Sequence, residues 1–199
     1  MDRRRLLGLL GAAGAVPCGS APHTPRPAVA PSAADTHDGD GSGEEHVRFM
    51  TAAIDEAHRN PRFPFGAVLV ASGRVLGRGV NTAAENPTYH GEMVAMADYV
   101  RRVGNRGWAA TTLYSTGEPC PMCMSACAWA GVGQVVWGTS VDVLGRTGLH
   151  QITLSARTVA EASAGFYSPR LLGGVLAGTT DELFRRAETL RGTKPAGAR

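Results

Sequence analysis

The chain has 199 residues, 43% of them hydrophobic and 19% charged, an ordinary balance for a soluble globular protein. Its formal net charge of +3 belongs to the start: Arg3, Arg4, Arg5 and Arg26 against Asp2 lie within residues 1–34, and the remainder carries sixteen residues of each sign. That balance excludes a global basic excess able to draw a phosphate backbone, while a local patch stays open.

Asp2-Arg3-Arg4-Arg5 followed by an apolar run from Leu6 to Val16 reads as a targeting segment, too short to span a bilayer as a helix. Arginines directly before Leu-Leu resemble a twin-arginine export signal. Residues 1–34 are therefore expected to be an export signal and flexible segment, and the protein to work in the cell envelope or outside the cell. Cys18 follows Pro17 instead of the small residue a lipid-attachment site wants, so no lipid anchor is expected. No later stretch approaches the ~18 apolar residues of a spanning helix, so the mature protein is expected to lack a transmembrane segment. Pro, Ala, Gly and Ser continue through a linker at 35–43; one domain is expected at 44–192, with a tail at 193–199.

Val47, Met50, Ile54 and Ala57 recur at helical spacing until Asn60-Pro61 stops them. Phe65 to Ala71 and Val75 to Val80 read as strands of a hairpin turning at Ser72-Gly73. A helix is expected from Pro87 to Val103, ended by Gly104-Asn105. Thr112 to Ser115 is the third strand, Pro119 to Trp129 a helix ended by Gly131, and Gln134 to Gly138 the fourth strand. Residues 139–152 read as irregular, Ser155 to Ser163 as helix and Arg170 to Leu176 as a fifth strand, with Thr180 capping a last helix to Leu190. Strands alternating with helices after a first hairpin predict an α/β fold: a three-layer α/β/α sandwich on a mixed five-stranded sheet. Tyr114, Trp129, Trp137 and Phe184 are expected in the core, and Trp108 at an edge.

Three of the four cysteines, Cys120, Cys123 and Cys127, fall within eight residues, unlike a disulfide framework spread along a small secreted domain. Cys120-x-x-Cys123 alone leaves a redox pair or a metal site. Placed in the first turn of a helix, the two sulfurs can converge on one point, and the helix N-terminus favours their thiolates. His90-Gly91-Glu92, in the first turn of another helix, tips the reading to metal. His90, Cys120 and Cys123 make three protein ligands and leave a fourth position open, the pattern of a catalytic zinc ion, whereas structural sites use four. Cys127, one turn on, is expected to be a buried thiol rather than a fourth ligand. Residues two apart on a regular helix point ~200° from each other. His90 and Glu92 can therefore address one site only if the metal lies off the helix end, where Glu92 is close enough to move protons without being a ligand.

His-Gly-Glu at 90–92 with Pro-Cys-Pro-Met-Cys at 119–123 resembles the signature of the cytidine-deaminase-like zinc deaminases. The resemblance runs from about Pro64 to Phe184 and takes in Pro64-Phe65-Gly66-Ala67-Val68, Gly79-Val80-Asn81, Asn86-Pro87-Thr88 and Thr112-Leu113-Tyr114. It implies a zinc-dependent hydrolase acting on C–N bonds of cyclic amidines, a homodimer, Glu92 as the catalytic proton shuttle and Asn81 as a contact to the base. The branch is similar to the nucleobase, nucleoside and tRNA-adenosine deaminases. Pro-Phe-Gly-Ala-Val is similar to guanine deaminases, His-Gly-Glu to fungal cytosine deaminases, and the segment from Gly173-Gly174 onward to the tRNA enzymes. These features point to different rings. Where the tRNA enzymes carry an acidic residue that meets the sugar, Val141 stands here, with Asp142 one position later.

The expectation is a deaminase of a free nucleobase or nucleoside (guanine-like purine or cytosine), outside the cytoplasm, with nucleic acid not expected as partner. The alternatives are a tRNA-adenosine-type editing enzyme and a non-enzymatic zinc or redox module. Twin-arginine export moves folded proteins, so zinc would load onto reduced Cys120 and Cys123 first. Arg146 and His150 in the irregular segment, and Phe166-Tyr167, are further candidates for substrate contact.

Overall fold

In the computed structural model, which describes residues 43–192, five strands form one mixed sheet. The expected export segment, Cys18, nearly all of the linker and the tail lie outside the described residues. β1 (Gly66–Ala71) and β2 (Arg74–Val80) are joined by Ser72 and Gly73, both at positive φ (50° and 67°), the backbone that a tight hairpin turn demands. β3 (Thr112–Gly117), β4 (Gln134–Thr139) and β5 (Arg170–Gly173) complete the order β2-β1-β3-β4-β5. β1 is antiparallel to β2 and β3, whereas β3, β4 and β5 run parallel. Parallel neighbours need long crossovers. These are α3 (Pro121–Ala130) between β3 and β4, and α4 (Val141–Arg146) with α5 (Ala156–Ala162) between β4 and β5.

Alternating side chains sort the strands' apolar residues into two cores, because the side-chain period of a strand is two. Val68, Val70, Tyr114 and Val136 face Phe49, Met50, Ala53 and Ile54 of α1 (Gly43–Ala57), with Leu183 of α6 (Ala177–Gly192) packed beside them. Ala67, Leu69, Leu113, Val135 and Trp137 face the other way, toward Ala95, Met96 and Tyr99 of α2 (Gly91–Val103) and Met124 and Cys127 of α3. The result is the α/β/α arrangement expected, with helices on both faces of the sheet. Among the described residues no helix is long and apolar enough to cross a membrane.

Several local expectations change. The helix expected from Pro87 begins only at Gly91, because Thr82 and Asn86 hold residues 82–89 in turns. Residues 141–146 form α4, capped by the Ser140 hydroxyl on the Val143 N–H. Thr180 is inside α6, where its hydroxyl reaches the carbonyls of Leu176 and Ala177 and accepts from Thr139. Trp129 is 82% exposed, stacked on the exposed Phe166, instead of buried. It sits on the outer face of α3, while its neighbours Ala128 and Ala130 pack on the core. Trp108 is buried against Tyr99, while Tyr114, Trp137 and Phe184 lie in the core as expected.

Two glycines set how closely the helices approach. A Cβ at Gly79 would lie 2.3 Å from the Ala95 nitrogen and the Gly91 carbonyl oxygen, and one at Gly66 would lie 2.2 Å from the Ala53 carbonyl oxygen. These neighbours are backbone and cannot rotate away. Gly79→Ala is expected to push the start of α2 off the sheet, at a cost of about 3 kcal/mol, the upper end for overpacking. For a domain of this size that lowers the melting temperature by about 6–12 °C. A thermal melt within about 2 °C of wild type would contradict it.

Candidate metal centre and active site

The site is assembled by two helix starts on the α2–α3 side of the sheet. His90 is the N-cap of α2 (φ −68°, ψ 157°) and Cys120 the N-cap of α3 (φ −64°, ψ 167°). Both are extended, so each projects its side chain beyond the helix end, and the restriction on residues two apart in a helix does not apply to His90 and Glu92. Pro121 opens α3, a position where its missing N–H costs nothing, and Cys123 follows within the first turn.

The Cys120 and Cys123 sulfurs are 3.7 Å apart, and His90 Nδ1 is 3.5 Å from the first and 3.7 Å from the second. Zinc bonds of ~2.3 Å to sulfur and ~2.0 Å to nitrogen at tetrahedral angles put two sulfurs about 3.8 Å apart and sulfur about 3.6 Å from nitrogen. The three donors therefore fit one tetrahedral zinc ion with a free fourth position. Among the described residues, the cluster of potential ligands that closes to this spacing contains His90, Cys120 and Cys123. Cys127 is fully buried one turn further on and is outside it.

Glu92 is buried beside the donors without joining them. Its Oε1 accepts from the Ser115 hydroxyl at 3.1 Å, and its Oε2 lies 3.5 Å from the Cys123 sulfur. Burial is the main cause that raises its carboxyl above the ordinary range, with the Cys120 sulfur adding to it. The hydrogen bond between the two sulfurs, opposed by burial and assisted by His90, pulls Cys120 down to about 4. That same bond, together with burial, pushes Cys123 well up. A bound dication would hold both sulfurs as thiolates. His90 is raised, chiefly by its hydrogen bond with Cys120.

A cavity of about 610 Å³ opens at His90 and is lined also by Asn60, Phe63, Phe65, Asn81, His150 and Arg191. Asn81 Oδ1 accepts from the Ala83 N–H at 3.1 Å, which leaves its amide N–H groups as the free donors toward a ligand. Asn60 fixes this strand end by donating to the Asn81 carbonyl at 2.8 Å. Of the other candidates, His150 lines the cavity; Arg146 and Asp142 are exposed, and Phe166 and Tyr167 do not line it. Val141 gives its backbone N–H to the buried Glu118, which also holds the Ala156 N–H and so ties the starts of α4 and α5 to the loop before Cys120.

Residue type and spacing alone do not mark Ser115, Asn60 or Arg191 as part of a site. Ser115 had a signal, a polar residue near the carboxyl end of a buried strand next to a parallel neighbour, where ligands gather in such sheets. Asn60, beside Pro61, reads as a helix stop, and nothing local marks Arg191.

The family model of the cytidine and deoxycytidylate deaminase zinc-binding region matches residues 43–139. A tRNA-specific adenosine deaminase from Streptococcus pyogenes serotype M18 is 35% identical over 120 residues, 57% of this chain and 76% of that one. The chloroplastic tRNA(adenine(34)) deaminase of Arabidopsis thaliana is 39% identical over 105 residues, 50% of this chain but 8% of that much longer protein. Among solved structures, a guanine deaminase from Nitrosomonas europaea superposes with a TM-score of 0.64 at 19% identity, covering 72% of this chain and 84% of that one. At that identity the likeness is one of fold.

Proposed function

From the premise that this chain belongs to the cytidine and deoxycytidylate deaminase zinc-binding family and is a zinc deaminase, we propose that its substrate is an adenosine carried in RNA. The observation that carries this reading is the streptococcal relative, whose likeness spans most of that enzyme and which acts on tRNA adenosine. The open cavity agrees with it, being in the range that takes a drug-sized ligand, larger than a bare ring needs.

The reaction exchanges an exocyclic amine for oxygen: water adds to the amidine carbon, the C–N bond breaks and ammonia leaves. Zinc, when bound by His90, Cys120 and Cys123, supplies Lewis acidity that brings the pKa of water near ~7. Glu92 stands next to the ligand atoms with one oxygen held by Ser115. It takes a proton from water, delivers it to the ring nitrogen and assists the departing amine. Asn81 donates its amide N–H to an acceptor on the ring, and Phe65 offers an aromatic surface in the same cavity.

A free nucleobase or nucleoside is the second reading. The even charge balance beyond residue 34 and the export segment expected in residues 1–34 favour it. Ammonia release from guanine, adenine, cytosine, their nucleosides and a short RNA hairpin with one loop adenosine separates the two. The RNA reading expects a kcat/KM on the hairpin about 100-fold or more above that on adenosine. Turnover of a free base with none of the hairpin would move the assignment to the second reading.

A further inference from the structure

The wall of the cavity contains a cation that nothing in the deaminase machinery uses. Arg191, in the last turn of α6, reaches back to donate from one guanidinium nitrogen to the Arg62 carbonyl at 2.8 Å and from the other to the Thr147 carbonyl at 2.7 Å. Its guanidinium carbon lies 5.5 Å from the centre of the Phe63 ring. A guanidinium has five N–H donors, so these two bonds leave three for a ligand. Among the described residues Arg191 forms no ion pair. Burial and the neighbouring Arg62 cation hold it below its ordinary range, Glu188 one turn earlier working the other way.

The rest of the lining points the same way. Among the described residues that line the cavity there is no Asp or Glu. The Gln151 Nε2 is buried in the same cavity without a hydrogen-bond partner, and the Asn81 amide N–H groups are free. The cavity wall thus holds the Arg191 cation with no carboxylate lining it, and the unpaired buried Gln151 donor is costly. An anion rich in acceptor oxygens relieves both.

We propose that Arg191, with Gln151 in the same cavity, forms a phosphate subsite that holds the phosphate ester of the nucleotide whose base is presented to His90. The subsite rests on the deaminase reading above and makes it more specific: the substrate is a nucleotide unit, and a bare base or nucleoside is a poor one. The phosphate belongs either to a free nucleoside monophosphate or to the phosphodiester of a strand. Arginine suits this because its planar fork matches phosphate oxygens. Arg191 also joins the loop before β1 to the loop after α4, so that the anion would settle on the bridge that closes the cavity wall.

The test compares wild type, Arg191→Gln and Gln151→Leu on adenosine, adenosine 5′-monophosphate and a short RNA with one adenosine, by steady-state kinetics and equilibrium binding at low and high salt. Wild type is expected to prefer a phosphate-bearing substrate. Each variant should raise KM for that substrate roughly 10- to 100-fold, the loss of one charge-assisted contact. The loss for adenosine should be at least tenfold smaller, and the salt dependence should flatten in Arg191→Gln. A preference for the monophosphate assigns the phosphate to a free nucleotide, one for RNA alone assigns it to the strand, and either supports the subsite. Equal kcat/KM and equal affinity for all three substrates in wild type would overturn it, as would equal losses on all three in Arg191→Gln. If Arg191→Gln does not fold, Gln151→Leu carries the same comparison. Phosphate-dependent binding without turnover keeps the subsite and removes the adenosine reading, whereas turnover indifferent to phosphate removes the subsite and keeps that reading.

Discussion

Glu92→Gln is expected to lower kcat by about 10³-fold or more while leaving about one zinc ion per chain. The amide keeps the size of the side chain and can still accept from Ser115, but it cannot take a proton and return it, and general acid–base catalysis contributes ~10²–10⁴-fold. Metal should stay because Glu92 is not among the three donors that close to zinc spacing. The ligand spacing belongs to residues on the two helix ends, and Glu92 touches that set only through the Cys123 sulfur. Turnover on the best substrate and metal content are measured on the same preparation. A kcat within tenfold of wild type would remove Glu92 from the chemistry. Loss of zinc together with activity would instead make it part of the metal site.

The second large effect separates the three sulfurs of α3 and its cap. Cys123→Ala should reduce bound zinc to near zero, abolish deamination and lower the melting temperature. It leaves two ligands of three, and metal binding is coupled to folding. Cys127→Ala, at a thiol equally buried one turn later, should retain zinc and activity and cost only packing, about 1 kcal/mol. Metal content and thermal melts of the two variants, with and without a chelator, make the comparison. Zinc loss in Cys127→Ala would make the site four-coordinate in protein ligands and close it to substrate. Zinc retention in Cys123→Ala would dismiss the tetrahedral fit of the three donors.

The fold was legible where local periodicity is strong. β1 and β2 around Ser72-Gly73, the short strands β3 and β4, and a proline-opened helix at α3, expected from Pro119 and begun at Pro121, were all visible in residue types alone. It was less legible where a neighbour decides. Thr180 has the chemistry of a helix cap, yet its hydroxyl is taken by Thr139 of β4 and by carbonyls of its own helix. Trp129 has the hydrophobicity of a core residue, yet it lies on the outer face of α3, whose Ala128 and Ala130 take the core side. Pro87 could start a helix, but tertiary turns delay that start to Gly91 and make His90 the cap. The delay has a chemical consequence: an extended His90 can aim at the same point as the cysteines while Glu92 stands beside them.

The sequence by itself determined the reaction class. His90, Glu92, Cys120 and Cys123 are soft and borderline metal donors and a proton carrier, set at spacings that two helix starts can bring together, and such short-range chemistry is written in residue type and separation. Only the tertiary structure decided what surrounds it. Ser115 on Glu92, Asn60 behind Asn81, and Arg191 bonded to a carbonyl 129 residues away owe their positions to the packing of β3, the loop before β1 and α6. No local pattern encodes a contact of that length, because it depends on how closely glycine-lined strands let the helices sit. The metal site is therefore read from the chain, and the cavity that selects its substrate is read from the fold.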